Sequence, residues 1–146
     1  MTGDDGGGEG HPAEVRIRLG LRWRDVDMLG HLNQSVYHEL LEEGRWALFD
    51  QLAGMPGFEF VLARVELDYR HEVRRELGHV EVAVRVEKVG SSSVTLAHEV
   101  LLPDGTIAAE GRAVIVIWDP ESRRPRKLTE QESSALGGLH SASPPE

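Results

Sequence analysis

The 146-residue chain contains no cysteine, which excludes disulfide bridges, a thiol nucleophile and cysteine-ligated zinc. Aromatic residues are also scarce, with three Phe, three Trp and two Tyr, and we expect most of these rings to fill the core. No apolar run approaches the roughly 18 residues that a membrane span requires. The formal net charge of -9 provides no basic surface for nucleic acid. These absences favour a protein that acts on neither membranes nor nucleic acids.

Both ends of the chain are poor in the apolar residues that a core requires. Residues 1–13 are rich in glycine and acidic residues, and residues 133–146 collect serine, glycine and proline. Burial would not offset the entropy lost in ordering them, so the sequence predicts two flexible tails around one domain at residues 14–132. Because no signal segment opens the chain, we expect a cytoplasmic protein.

The apolar residues of the predicted domain follow two different periods. Residues 15–23 alternate between apolar and polar, which is typical of a half-buried strand that ends with Trp23. From Gln34 or Ser35 the apolar residues recur every three or four positions, which predicts a helix that ends near Gly54 and Pro56. Further strands are predicted at residues 58–62, 65–73, 79–88, 93–102 and 106–118.

One arrangement buries the apolar faces of both the helix and the strands. A single helix cannot bury its apolar face alone, and strands with one apolar face need a cover. We therefore expect an α+β fold in which an antiparallel sheet of about five strands wraps around one long central helix. The outer face and free edges of such a sheet would favour association with a second copy.

The most polar stretch of the predicted domain, DVDMLGHLNQS, lies between the first strand and the helix. The unpaired N–H groups and positive dipole end of a helix start can hold a developing oxyanion. A carboxylate a few residues upstream, from Asp25 or Asp27, can act beside it as nucleophile or general base toward an activated acyl group. Asp25 and Asp27 share one face of an extended strand only while the strand lasts, so alternation does not choose between them. The stretch therefore favours acyl chemistry.

Each residue of this stretch also has a purely structural interpretation. Asp27 would be a loop carboxylate that caps local amides, and His31 would make a structural hydrogen bond. Asn33 or Ser35 would be the N-cap of the helix. Only the joint placement of these residues favours chemistry over structure.

The segment RWRDVDMLGHLNQSVYHELLEEGR, at residues 22–45, resembles the opening motif of hotdog-fold acyl-CoA thioesterases of the 4-hydroxybenzoyl-CoA thioesterase family. The motif of that family runs D-x-D-x-x-G-H-x-N-x-x-x-Y and continues into an acidic pair and an arginine. The resemblance extends over most of residues 15–118. It implies a hotdog fold, a homodimer or tetramer with the site at the subunit interface, and hydrolysis of acyl-CoA to the free acid and CoA without a metal or cofactor.

The same resemblance implies roles for individual residues. Asp27 is expected to be the nucleophile or the general base, and both roles are compatible with the motif. His31 and Asn33 match positions that orient water or support the carboxylate. The backbone N–H of Gln34 is expected to polarise the thioester carbonyl. Gly30 and Tyr37 are expected to belong to the substrate pocket. A carboxylate of Glu42 or Glu43 on the helix is a weaker alternative to Asp27.

Coenzyme A carries several phosphate charges, which an acidic chain must meet with local donors. The candidates are Arg74, Arg75, Ser91, Ser92, Ser93 and the basic run Arg123, Arg124, Arg126 and Lys127. Ordinary solvated surface explains each of these groups equally well.

Two other functions fit the same motif. The first is an acyl-carrier-protein thioesterase of a fatty-acid or polyketide pathway, although Leu29 stands where relatives acting on carrier proteins place an asparagine. The second is a non-catalytic, acyl-binding hotdog dimer. A pure binding protein would not need a carboxylate beside a polarised carbonyl, so we expect an enzyme.

Overall fold

The computed structural model describes residues 14–50 and 58–140. The helices and strands, in chain order, are β1 (Glu14–Gly20), α1 (Gln34–Phe49), β2 (Phe60–Tyr69), β3 (His79–Val89), β4 (Ser93–Leu101), β5 (Ile107–Asp119), β6 (Arg124–Pro125) and α2 (Glu130–His140). The strands pair antiparallel in the order β1-β3-β4-β5-β2, and β6 pairs with β5. This curled sheet around a helix confirms the predicted α+β hotdog fold.

The core lies between α1 and the concave face of the sheet. One stripe of α1, which includes Leu41 and Leu48, is fully buried. Gly44 lies in the same stripe, where an added Cβ would stand 2.7 Å from methyl carbons of both Val82 and Val84 on β3. The absence of a side chain at Gly44 therefore lets the helix approach the sheet closely, and this contact fixes the position of α1.

Two strand predictions differ from the structure. The predicted strands at 58–62 and 65–73 are one strand, β2, interrupted by a register shift between Leu62 and Arg64. Such a bulge changes which face each residue occupies, so the sequence shows two separate alternating runs. β2 also ends at Tyr69, which leaves residues 70–73 as a connecting segment.

The first strand is also shorter than predicted. β1 ends at Gly20, and Trp23 is 77% exposed in a short 3-10 turn, Trp23–Asp25. The turn forms because the backbone N–H of Arg22 donates to the Asp25 carboxylate, at 2.6 Å. The predicted helix end at Gly54 and Pro56 lies outside the described residues, and α1 itself ends at Phe49.

The C-terminal segment differs from the predicted tail over residues 133–140, which belong to α2. The Thr129 hydroxyl accepts from the backbone N–H of Glu132, and the Glu132 carboxylate accepts from the backbone N–H of Thr129. This reciprocal pair is a capping box, and it starts a helix that buries Leu136 completely. Composition alone concealed this helix because serine and glycine dominate it. Residues 1–13 and 141–146, the rest of the predicted tails, lie outside the described residues.

His98 on β4 makes the stability of this fold sensitive to pH. Its side chain is buried, its Nε2–H donates to the carbonyl of Glu66 at 2.9 Å, and its Nδ1 has no partner among the described residues. Burial lowers the pKa of His98 below 6.5 despite the opposing hydrogen bond to Glu66, and the positive charge of Arg45 lowers it further. The folded protein therefore keeps His98 neutral at pH values where the unfolded chain binds a proton.

We expect the free energy of unfolding to fall as the pH drops from 7.5 to 5.5, by at most about 1.4 kcal/mol per pH unit from this group. Urea unfolding at both pH values should show a smaller decrease for His98→Gln than for the wild type. The exposed His71 provides the control, because His71→Gln should retain the wild-type decrease. An equal decrease in His98→Gln and the wild type would contradict this assignment.

Candidate functional site

The polar loop before α1 is closed by Asp27. Its Oδ1 accepts from the backbone N–H groups of Leu29, at 2.9 Å, and His31, at 3.1 Å. The backbone N–H of Asp27 donates to the carbonyl of His31, and its carbonyl accepts from the N–H of Gly30. The φ of 81° at Gly30 is a left-handed conformation that favours glycine. The structural interpretation of Asp27 as an amide-capping carboxylate is therefore correct for Oδ1. These two bonds also hold the carboxylate in one orientation.

Asp25 has a different environment. Its side chain is buried and accepts from both the backbone N–H and the Nε of Arg22. Burial alone would raise the pKa of Asp25, but the hydrogen bonds and charge of Arg22 outweigh it and lower the pKa. The backbone carbonyl of Asp25 also accepts from the N–H of Asn33, at 2.7 Å. Asp25 is thus an anchor for the loop and the helix start.

A cavity of about 530 Å³ opens beside Asp27. Its lining residues are Asp27, His31, Leu32, Gln34, Tyr37, Tyr69, Arg70, His71, Glu72 and Val73. The volume lies within the usual range for small-molecule sites. The structure therefore brings together four of the predicted site residues, and Gly30 and Asn33 lie beside the cavity without being among its described lining residues.

The helix start borders the same cavity. Gln34 is the first residue of α1, so its N–H belongs to the turn whose donors lack intrahelical acceptors. Asn33 is the N-cap residue, but its side chain makes no capping hydrogen bond. The prediction of Asn33 as the N-cap is therefore confirmed in position but without the expected side-chain bond, and Ser35 lies inside the helix.

Two tyrosines form the more apolar wall of the cavity. The rings of Tyr37 on α1 and Tyr69 at the end of β2 meet edge to face, with centroids 5.0 Å apart. Burial, and then the proximity of Tyr69, raises the pKa of Tyr37, so its hydroxyl stays neutral near pH 7. This wall can accommodate an acyl chain next to the polar loop.

The segment after β2 forms a further part of the cavity lining, which the sequence interpretation missed. The backbone N–H of Leu32 donates to the carbonyl of Val73 at 2.7 Å, and His31 forms a β-bridge with Arg74. Across this short ladder, His31 Nε2 lies 2.7 Å from Glu72 Oε1. The sequence predicted residues 70–73 as the end of a strand. The charged run RHE at residues 70–72 was the one local feature that favoured a loop.

The candidate phosphate contacts lie at two different ends of the sheet. Arg74 and Arg75 are exposed near the cavity, where Arg74 pairs with Glu76 and the guanidinium of Arg75 lies 4.9 Å from the Trp23 ring centroid. Ser91, Ser92 and Ser93 lie at the turn between β3 and β4.

The distance between these ends follows from the register of β5. Tyr69 pairs with Ala109 and Ser93 with Val116 on that strand, which separates the two ends by about 23 Å. A single chain therefore does not bring the serine turn to the cavity.

The remaining candidates are also outside the cavity lining. Arg126 of the basic run is bound to Glu132, at 2.8 Å, and so helps to anchor α2. Glu42 and Glu43 are exposed on α1, and neither is among the described residues that line the cavity. The structure thus places Asp27, rather than the helix carboxylates, beside the helix start.

Within residues 14–50 and 58–140, no group of three His, Asp or Glu residues is arranged to hold a metal ion. In the same ranges, no helix is both long enough and apolar enough to cross a membrane.

The sequence and the fold both match known proteins. A family model of the thioesterase-like superfamily matches residues 21–136. The uncharacterized protein YsmA of Bacillus subtilis (strain 168) is 28% identical over 122 residues, which cover 82% of each chain. A thioesterase from Thermus thermophilus, solved as a complex with coenzyme A and Zn, is 33% identical, with a TM-score of 0.76 over 85% of this chain and 92% of that one. A predicted thioesterase from Bacillus stearothermophilus is 25% identical, with a TM-score of 0.79 over 88% and 97% of the two chains.

Proposed function

Because the chain belongs to the thioesterase-like superfamily and is a thioester hydrolase, we propose that it hydrolyses acyl-CoA to a free acid and CoA in the cavity beside Asp27. The observation that carries this proposal is the presence of the Asp27 carboxylate and the start of α1 on the same cavity. The likeness to a thioesterase solved with coenzyme A supports CoA as the thiol. The acyl group would lie against Tyr37 and Tyr69.

The proposed chemistry uses both the start of α1 and the Asp27 carboxylate. The N–H of Gln34 and the dipole of α1 stabilise negative charge on the thioester oxygen as the carbonyl carbon becomes tetrahedral. Asp27, held by two amides through Oδ1, either attacks that carbon or removes a proton from an attacking water. In both routes the C–S bond breaks, and water supplies the oxygen of the acid and the proton of the thiol.

The neighbours of Asp27 have supporting roles in this proposal. His31 lines the cavity and orients water, and Gly30 lets the loop turn back so that its N–H bonds to the Asp27 carbonyl. Asn33 acts through its backbone, which ties the helix start to Asp25.

We propose that two copies of the chain pair through β2. This strand forms one edge of the sheet and exposes Val61 and Leu62, and the nearby Trp46 is 59% exposed. Both edge strands carry charged side chains, Arg16 and Arg18 on β1 and Arg64, Glu66 and Asp68 on β2, but of the two strands β2 is the one with exposed large apolar side chains. A strand edge with exposed apolar side chains beside an exposed aromatic ring suits a second copy of the same strand.

A two-fold axis at β2 would also bring the serine turn to the cavity. Antiparallel pairing sets the Phe60 end of one β2 beside the Tyr69 end of the other. Phe60 pairs with Ile117, whose N–H donates to Ser92, so the serine turn lies at the Phe60 end. Ser91 of the partner subunit would then face the CoA phosphates together with Arg74 and Arg75. The site would be complete only in the dimer.

Disrupting this edge should therefore abolish both assembly and activity. We expect Leu62→Arg to be a folded monomer with at least a tenfold lower kcat/KM for acyl-CoA. Light scattering on a sizing column would give the mass, and thiol release would give the rate. Leu77→Arg, at another partly exposed leucine, should keep the wild-type mass and rate. A Leu62→Arg dimer with unchanged activity would contradict the proposed interface, and a fourfold mass for the wild type would indicate a tetramer.

The function itself is tested by thiol release from acetyl, medium-chain, long-chain and aromatic acyl-CoA esters. Release from one class or more, absent without enzyme, is the expected result and would rank the acyl groups. Release only from acyl carrier protein thioesters would instead support a carrier-protein thioesterase. Tight acyl-CoA binding without release would support the non-catalytic alternative.

A further inference from the structure

We propose that Glu72 is a positioning residue that holds the imidazole of His31 in the one orientation and tautomer useful for proton transfer. This inference rests on the proposed function. It concerns a carboxylate of the cavity lining, on the segment between β2 and β3, rather than on the loop that carries Asp27.

The backbone of two segments fixes the His31–Glu72 contact. Leu32 and Val73 are both buried and joined by the 2.7 Å bond from the Leu32 N–H to the Val73 carbonyl. His31 precedes Leu32 and Glu72 precedes Val73, and both of these polar side chains line the cavity. His31 pairs directly with Arg74 in the bridge, which makes Glu72 its diagonal neighbour.

The contact is better defined than most surface ion pairs. His31 and Glu72 are 44% and 45% exposed, a degree at which an isolated pair contributes little to stability. Here, however, both backbones are held by the ladder, which fixes the directions in which the two side chains leave the main chain. The contact is therefore better suited to orient a ring than to stabilise the fold.

The tautomer follows from the chemistry of the two groups. An ionised carboxylate can only accept, so His31 Nε2 must carry the hydrogen that faces Glu72 Oε1. In the neutral ring Nδ1 is then the acceptor, and it has no partner among the described residues. A carboxylate that fixes the tautomer of a histidine base has the same role in serine hydrolases.

This arrangement supplies a proton route for the second half of the reaction. If Asp27 attacks the thioester, an anhydride forms and the CoA thiolate leaves. Water then attacks the anhydride and gives a proton to His31 Nδ1, and the anhydride C–O bond breaks to restore the Asp27 carboxylate. The imidazolium finally passes its proton to the thiolate, which balances the reaction.

Several charged groups surround His31 and bear on its protonation. Asp27 faces it from its own loop, and Arg70, His71 and Glu72 share the cavity from the segment after β2. The guanidinium of Arg74 is occupied by Glu76, at 2.9 Å. Among these groups, Glu72 is the one bonded to the ring.

The test compares Glu72→Gln and Glu72→Ala with Glu76→Gln, which removes a carboxylate from the same segment but outside the cavity. We expect Glu72→Ala to lower kcat by about tenfold with little change in KM. Glu72→Gln, which retains an acceptor, should lose less kcat than Glu72→Ala. Glu76→Gln should behave as the wild type.

A double variant separates positioning from a general structural effect. If Glu72 acts through His31, adding Glu72→Ala to His31→Gln should cost no further kcat. Multiplicative losses in the double variant would overturn the proposal.

NMR of the His31 ring nitrogens distinguishes failure of this inference from failure of the proposed function. In the wild type Nε2 should carry the hydrogen of the neutral ring, and Glu72→Ala should lose part of this tautomer preference whether or not the protein hydrolyses any acyl-CoA. An unchanged tautomer would exclude the contact, and a changed tautomer in a protein that releases no thiol would instead reject the proposed function.

Discussion

Asp27→Asn should lower kcat for acyl-CoA hydrolysis by about 10³-fold while leaving the fold and the assembly intact. The substitution preserves shape, and the amide oxygen of asparagine can still accept from the N–H groups of Leu29 and His31. The loop should therefore keep its conformation. What disappears is the negative charge, and with it both the nucleophile and the general base.

The neighbouring aspartate of the motif is the matched control. Asp25 is buried against Arg22, so Asp25→Asn should lower the unfolding temperature, whereas its folded fraction should retain kcat within a few fold. Thiol release measures the rate, and calorimetry measures the unfolding temperature. Unaltered turnover in Asp27→Asn, or a collapse of turnover in Asp25→Asn without loss of folded protein, would remove Asp27 from the mechanism.

Isotope labelling can separate the two roles of Asp27. In a single turnover with enzyme in excess and H₂¹⁸O as solvent, attack of water on the acyl carbon of an anhydride or thioester labels the product. Attack on the Asp27 carbon of an anhydride labels the protein instead. Label in Asp27 would establish the nucleophilic route, whereas label in the product alone leaves general-base catalysis as the simpler mechanism.

Much of the fold could be predicted because the spacing of apolar residues along the chain matches the spacing of buried residues in the structure. The three- and four-residue spacing of α1 and the alternation of β3 match the buried faces of those elements. The D-x-D motif likewise predicted a carboxylate beside a helix start. Alternation alone did not separate Asp25 from Asp27, because a 3-10 turn at Trp23–Asp25 ends the strand periodicity before either residue.

The features that were missed depend on contacts between distant segments. Glu72 reaches His31 only because the N–H of Leu32 bonds to Val73, a pairing between residues 41 positions apart in the chain. The start of α2 had a local sign, the T-x-x-E capping box from Thr129 to Glu132, but its serine and glycine content predicted a tail. The proposed use of the serine turn requires a second copy, which no pattern within one chain reveals.

Gly111→Ala should destabilise the fold by about 3 kcal/mol or more. Gly111 lies on β5 between His98 of β4 and Leu67 of β2. An added Cβ would stand 2.0 Å from the backbone oxygen of Glu66 and 2.6 Å from its carbonyl carbon. These are main-chain atoms of a paired strand, so no side-chain rotation can relieve the overlap.

A glycine in α2 provides the control. At Gly138 an added Cβ has no described atom within 4 Å, so Gly138→Ala should keep the free energy of unfolding or raise it by up to about 1 kcal/mol. Urea unfolding would measure both variants at pH 7.5. A Gly111→Ala protein as stable as the wild type would show that β2 can move away from β5 at little cost.

Gly111→Ala should also lower activity, because β2 and the segment after it contribute residues to the cavity lining. The strand ends at Tyr69, and the segment after it contains Glu72, so displacing β2 from β5 moves one whole wall of the cavity. The start of α1 is held by the bond from the Asn33 N–H to the Asp25 carbonyl, and Asp27 is held by the backbone of its own loop, so both should stay in place. We therefore expect the folded fraction of Gly111→Ala to lose kcat/KM through a weaker acyl pocket. Wild-type kcat/KM in that fraction would mean that the wall formed by β2 does not position the substrate.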